Sequence, residues 1–376
     1  MNRIWRRNLR VIWIAELLAI MGFSSSFPIW TYYIQELGVD ENSVARWSGI
    51  IISSAAISMG IMGPVWGALS DKHGRKIMVM RAMFGGGLII GLMGFAQSVQ
   101  QLALLRLIQG VFTGTVAAAT ALVASDTSKD KLGSTLGKLQ LAIFLGQAFG
   151  PTTGGFFADL WGYRATFWIT SSYLFVAGLI ILLFVQENFV PEASVGQTRL
   201  WDRLRMDFGL LFTGSMLTLV LGLRFALRIG LRMNSPILPL IVQELLPAGS
   251  LLGSATGLLS TISGASSAIA APLLGRVADR SDGKHLLMLC AFSAAAGMVG
   301  EALAPTYGWL VITQVFMGVG IGGTLAIISA YIGRLAPEGR TGAVYGLDTA
   351  VVSLSSAVGP TLGGWLSDTI TRRAPL

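Results

Sequence analysis

The chain has 376 residues, of which 53% are hydrophobic and only 12% charged, with a mean hydropathy of +0.67 and a net charge of +8. A charged share about half that of a soluble domain excludes a water-soluble globular fold. The single cysteine, Cys290, excludes an intramolecular disulfide and belongs to no metal-ligand pattern.

Each crossing of a bilayer needs roughly 20 apolar residues. Apolar windows fall at about 11–35, 47–70, 77–97, 101–124, 136–160 and 166–187, and resume at about 212–243, 253–276, 285–304, 308–334 and 342–366. That predicts eleven spans in two sets, 1–187 and 208–376, joined by a polar linker at 188–207. Arg6, Arg7, Arg10, Lys72, Arg75, Lys76, Lys129, Lys131, Arg203, Arg205, Arg276, Arg280, Arg334 and Arg340 all fall on one side of the predicted membrane. The opposite loops carry little positive charge, so the positive-inside rule puts the N-terminus and the linker in the cytoplasm. The basic balance is thereby explained without nucleic acid. Arg372 and Arg373, after span 11, fall on the wrong side.

The two sets are copies of each other. Phe27-Pro28-Ile29 and Gln35-Glu36-Leu37 return 208 residues later as Ser235-Pro236-Ile237 and Gln243-Glu244-Leu245. Pro64, Gly67 and Asp71 return as Pro272, Gly275 and Asp279. Gly146, Gly150, Pro151, Gly154, Gly155 and Asp159 return 209 residues later as Ser355, Gly359, Pro360, Gly363, Gly364 and Asp368. A repeat of this length means parallel halves of six spans each. Span 6 then predicts a partner at about 375–396, beyond Leu376, which reads as a twelve-span design whose last helix is missing.

The loop after span 2, Gly67-Ala-Leu-Ser-Asp71-Lys-His-Gly74-Arg75-Lys76, resembles the signature loop of the major facilitator superfamily. Its glycines suit a tight inter-helix turn, and its aspartate suits a helix N-terminus or the arginine. The second copy keeps Asp279 and Gly283. The resemblance implies that Asp126 joins Asp71 and Arg75 in a charge cluster that holds one conformation. In span 4, Arg106, Gln109, Gly110 and Gly114 resemble a second motif of that family. In span 5, Gly146-x-x-x-Gly150-Pro151-x-x-Gly154-Gly155 resembles the motif of its antiporter branch, echoed in span 11 by Gly359-Pro360-x-x-Gly363-Gly364. In span 7, Gly230 with Pro236-Ile-Leu-Pro239 resembles a drug-antiporter motif. The implied fold is an all-α major facilitator membrane fold. The implied class is a bacterial drug:proton antiporter, a monomer in the cell inner membrane. Gly318-Val-Gly320-Ile-Gly-Gly323 mimics a dinucleotide fingerprint, but inside an apolar span it has no strand–turn–helix context.

Intramembrane polar residues mark transport sites. If protons drive transport a carboxylate must carry them, and Glu16 in span 1 and Asp348 in span 11 are the candidates. Arg224, Arg228 and Arg232, spaced by four, predict a stripe along span 7 facing a central cavity, with Arg106 and Gln109 completing its lining. Glu16 and Arg224 each lie twelve residues before the shared proline, which predicts a Glu16–Arg224 pair. Three cations against one acid favour anionic or zwitterionic substrates. Three readings follow: proton-coupled efflux, uptake of an organic anion by a symporter or uniporter, and an inactive shortened paralogue. No metal, cofactor or enzymatic motif is expected.

Overall fold

The computed structural model describes residues 3–125, 127, 131–187, 215–280, 283–335 and 341–376. Asp126, the linker and the side chains of Asp71 and Asp279 lie outside the described part. Among the described residues the chain is helical throughout, with no strand. In chain order the α-helices are α1 (Arg3–Ser25), α2 (Trp30–Glu36), α3 (Val44–His73), α4 (Arg75–Met93), α5 (Val99–Phe112), α6 (Thr115–Ser125), α7 (Leu132–Trp161) and α8 (Tyr163–Phe184). The second half supplies α9 (Ser215–Met233), α10 (Leu238–Leu245), α11 (Leu252–Arg280), α12 (Gly283–Ala302), α13 (Tyr307–Leu335) and α14 (Thr341–Thr369). Eight of these segments are long and apolar enough to cross a membrane by length and composition. The segments α7, α9–α10 and α14 are not among them, so hydropathy alone does not carry the count of eleven.

The sequence breaks its helices where the backbone demands it. Span 1 stops at Ser25, passes through a 3-10 turn at Phe27–Ile29 around Pro28, and resumes as α2. Span 7 stops at Met233 and resumes at Leu238, with Ile237 N and Leu238 N donating to the Asn234 carbonyl at 2.9 and 3.1 Å. Proline lacks the N–H that would continue either helix. Span 4 breaks at Gly114, whose φ of 122° suits only glycine. The tight turn expected after span 2 is a single residue, Gly74 at φ 95°, and Gly162 at φ 86° repeats it between α7 and α8.

The largest core fills the first half, where Trp30 meets Phe167 edge-on at 5.1 Å and Tyr33 lies beside them. The halves meet along α3 against α14 and α7 against α11. Among the described residues, every hydrogen bond between halves lies between mid-helix and the end where α2, the start of α3 and the end of α7 gather. This end is the gate. There Tyr32 Oη donates to the Pro239 carbonyl at 2.8 Å and pairs with Thr256 Oγ1 at 2.7 Å. Gln35 donates to Gln243 at 3.0 Å. Thr152 meets Thr261 at 2.7 Å, and its repeat mate Thr361 meets Ser53 at 2.8 Å.

Two carboxylates complete the gate. Asp159, at the end of α7, accepts from Gly253 N at 2.9 Å and Ser254 N at 2.7 Å, the second and third residues of α11. Asp368, at the end of α14, accepts from Arg46 N at 3.0 Å, with Ala45 N turned on it as well, at the same two positions of α3. Each half thus supplies the N-terminal cap of a helix in the other, satisfying N–H groups that no residue of the helix itself can reach.

Candidate functional site

The proline-glycine motifs of spans 5 and 11 sit on the broken helices. A Cβ at Gly146 or Gly150 would strike Ile20, Met21 and Ser24, and one at Gly154 would strike the Ser25 backbone. Ser24 Oγ donates to the Gly146 carbonyl at 2.8 Å, fixing the contact. In the second half a Cβ at Gly359 would meet Arg232 and Ile229, and one at Gly363 the Met233 backbone. The last glycine of each motif faces the other half: Gly155 lies on the Gly253 carbonyl and Gly364 on that of Ala45. Pro151 and Pro360 offer their carbonyls to Gly257 and Gly49 across the same seams. Small residues permit backbone-to-backbone approach where lipid provides no hydrophobic drive. The motif therefore joins the helix break in its own half to the seam between halves.

Polar side chains gather beside these hinges. Glu16, fully buried on α1, has the Thr115 side chain just past the span 4 break as its polar neighbour, and among the described residues neither of its oxygens meets a donor in hydrogen-bonding geometry. It does not pair with Arg224. Arg224 Nε instead lies 2.7 Å from Asp348 Oδ1, and Arg224 Nη1 donates to Ser329 Oγ at 3.1 Å. The 2.7 Å approach is an ion pair by distance, at an angle outside hydrogen-bonding geometry. The pseudo-symmetry of Glu16 and Arg224 misled because the arginine finds its acid within its own half.

The three arginines of span 7 do not share one environment. Each four-residue step on an α-helix turns about 40°, so Arg232 stands about 80° round from Arg224. Arg224 is buried, Arg228 half-buried and Arg232 exposed. Arg224 and Arg228 line a narrow cleft against Ile321, Thr324 and Ile328 of α13. Among the described residues neither Arg228 nor Arg232 has a carboxylate in ion-pair contact. Arg106 is buried, donates to Gln109 Oε1 at 2.8 Å and lies over the Trp30 ring at 4.7 Å; Gln109 donates on to Thr113 at 2.7 Å. This chain runs inside the first half, toward the Gly114 break.

In the signature loop, Gly67 has nothing within 4 Å of a Cβ position. The carboxylate at the start of α4 is Glu187, accepting from Arg75 N at 2.8 Å and Lys76 N at 2.9 Å. Glu187 was missed because it lies at the last residue of a predicted span. Asp159 and Asp368 were visible as a repeated pair, but their partners belong to the other half. Glu301 was missed too. It lies three residues inside the window 285–304, where it passes for a boundary residue, yet it is fully buried. Arg372 and Arg373, on the side where basic residues are scarce, each have an acid: Glu41 and Glu244, both at 3.1 Å.

A helical membrane protein of two repeated halves, each with a broken helix seated on a glycine-proline motif and locked to its twin at one end, has the architecture of a carrier. The sequence profile of the Major Facilitator Superfamily matches residues 12–227 and 220–375, and the chain belongs to that family. Its relatives include the multi-drug resistance efflux pump PmrA of Streptococcus pneumoniae, 32% identical over 96% of this chain and 89% of that protein. The multidrug resistance protein MdtG of Proteus mirabilis is 30% identical over 97% of this chain and 90% of its own length. Of solved structures, the nucleoside transporter NupG superposes with a TM-score of 0.78 over 99% of this chain and 92% of that one, at 15% identity. A bacterial homolog of the human lysosomal transporter Spinster gives 0.76 over 98% and 83%, at 14% identity. The chain is a multi-pass membrane protein and a secondary transporter, not an enzyme, and it sits with the drug-efflux branch of its family.

Proposed function

We propose that this chain exports drugs or amphiphilic metabolites in exchange for protons, by alternating access between its two halves. The observation that carries the reading is the double seating of the glycine-proline motifs, each touching a hinge on one side and the gate on the other. With the N-terminus in the cytoplasm, as the positive-inside rule has it, the gate is the outer one and the described state faces inward. Eleven spans in the inner membrane, in halves 1–187 and 208–376 about the linker 188–207, fit that orientation. We take the protein to act as a monomer.

Glu16 is the proposed proton carrier: a fully buried carboxylate beside Thr115, with no donor in hydrogen-bonding geometry among the described residues, gains a donor when a proton binds. Asp348 is the second, since protonating it would release Arg224. Arg228 and Arg232, with no carboxylate in ion-pair contact among the described residues, are proposed to meet the anionic group of a substrate, with Arg106 and Gln109 shaping the facing wall. At the inner end, Gly67, Asp71, Gly74, Arg75, Asp126 and Asp279 form the proposed conformational switch.

Everted membrane vesicles given a pH gradient test the reading with carboxyfluorescein, rhodamine B and ethidium as anionic, zwitterionic and cationic probes. Uptake of the first two, abolished by a protonophore and by Glu16→Gln, is expected. Uptake indifferent to the protonophore contradicts proton coupling. Arg228 and Arg232 also suit a second reading, import of an organic anion, for which accumulation would occur in intact cells rather than everted vesicles.

A further inference from the structure

Glu301, in the last turn of α12, is 0% exposed and is used by none of the roles above. Around it the hydrogen bonds form a closed set with one part missing. Asn234 Nδ2 donates to Glu301 Oε2 at 2.9 Å and to Met317 Sδ at 3.9 Å. Gln314 Nε2 donates to the same Oε2 at 3.1 Å and to the same sulfur at 3.8 Å. Both amide groups are thereby spent on two acceptors. Two further acceptors, Glu301 Oε1 and Asn234 Oδ1, are buried with no donor at all. Each buried acceptor left without a donor costs on the order of 1–3 kcal/mol. What the cluster lacks is a single O–H.

The place of the cluster matters as much as its chemistry. Asn234 is the residue at which span 7 breaks, and its carbonyl carries the N–H groups of Ile237 and Leu238 that turn the chain into α10. Met233, one residue earlier, is where Gly363 of span 11 seats. The charged groups around the cluster are few. Arg373, from the chain's last residues, donates to the carbonyls of Ala302 and Ala304 at 3.0 and 3.3 Å and is itself paired with Glu244. Arg232 lies two residues before Asn234, its Cβ against Gly359. The neighbours from α13, Thr313, Gln314 and Met317, are neutral, and among the described residues no cation pairs with Glu301.

We infer that Glu301 is a further proton-exchange site, apart from Glu16 and Asp348 and outside the arginine-lined cleft, whose protonation sets the hinge of span 7. A proton bound at Oε1 forms the O–H that the cluster lacks and makes the group a neutral acid. Its loss leaves an ionised carboxylate held only by two amides, and pulls on Asn234. This deepens the proposed antiport and rests on it for its place in the transport cycle, but the proton exchange itself has an independent readout.

That readout is infrared spectroscopy of the reconstituted full chain. A carboxylic-acid C=O band should be present at low pH and be lost as pH rises. It should be missing from Glu301→Gln, whose amide supplies the absent donor, and remain in Glu16→Gln. Asn234→Ala keeps the carboxyl and should shift its band, a check that does not depend on Glu301→Gln folding. In proteoliposomes, Glu301→Gln should reduce flux driven by a pH gradient about tenfold or more, within the usual range of a coupling free energy. Exchange of probe at equal pH should be spared. If no titrating carboxylic-acid band is lost in Glu301→Gln, or if the band lost there ignores Asn234→Ala, the inference is overturned. Wild-type protein with no gradient-driven flux overturns the antiport reading instead, while the band still decides whether Glu301 takes a proton.

Discussion

Replacing Asp159 and Asp368 by alanine should open the gate without unfolding either half. Each carboxylate accepts from N–H groups at the start of a helix in the opposite half, so its contribution exists only while the gate is closed. Losing an N-cap costs about 0.5–2 kcal/mol, and losing a negative charge at a helix N-terminus about 0.3–1 kcal/mol more. Together that is about 1–3 kcal/mol per site, which moves the closed-to-open ratio about 5- to 150-fold, at 1.4 kcal/mol per factor of ten. The two caps share no residue, so the double variant should show the sum of the single effects. Spin labels at Gln100 and Ala248, exposed on opposite halves at the gate end, would report the distance by electron double resonance. The background would be Cys290→Ala. Single variants should raise the long-distance population and the double variant should raise it further, with the helix content of both halves unchanged. Identical distance distributions in wild type and double variant would refute the reasoning, because caps that cost nothing to remove are not holding the gate.

Three further outcomes follow from the same geometry. Gly155→Ala and Gly364→Ala place a methyl on the Gly253 and Ala45 carbonyls and should open the gate in the same distance measurement, whereas Gly346→Ala, with nothing within 4 Å, should not. Asp348→Asn takes from buried Arg224 the carboxylate in ion-pair contact with it, which should cost about 3–5 kcal/mol, seen as a lowered melting temperature. The apolar pair Arg224→Met with Asp348→Leu should recover most of it. Gly114→Ala forces a side chain onto a φ of 122° and should lower the melting temperature by the equivalent of about 1–2 kcal/mol.

Much of the fold was legible because hydropathy and the repeat are written along the chain. The window at 166–187 meets α8 at Tyr163–Phe184, and the repeated Pro28 and Pro236 mark the two broken helices. The span 4 break was not legible, since Gly114 looks like any packing glycine until its φ is known. The site was legible in residue type and not in partnership. Asp348 and Arg224 were both singled out, but the sequence offered Glu16 as the arginine's partner by symmetry, and only the packing of α9 on α14 brings Asp348 to it. The trans-caps required knowing that the end of α7 meets the start of α11. Glu301 shows the limit most clearly, because a boundary acid and a buried one read alike until the surrounding Asn234 and Gln314 are in place.

The central claim is exchange of substrate for protons, and reversing the cycle tests it most directly. Proteoliposomes loaded with carboxyfluorescein and diluted into probe-free buffer, with no imposed pH gradient, impose a substrate gradient alone. The account requires protons to move against the direction of the probe, with the movement lost in Glu16→Gln. Probe leaving the vesicles through the protein without any counter-movement of protons would contradict it.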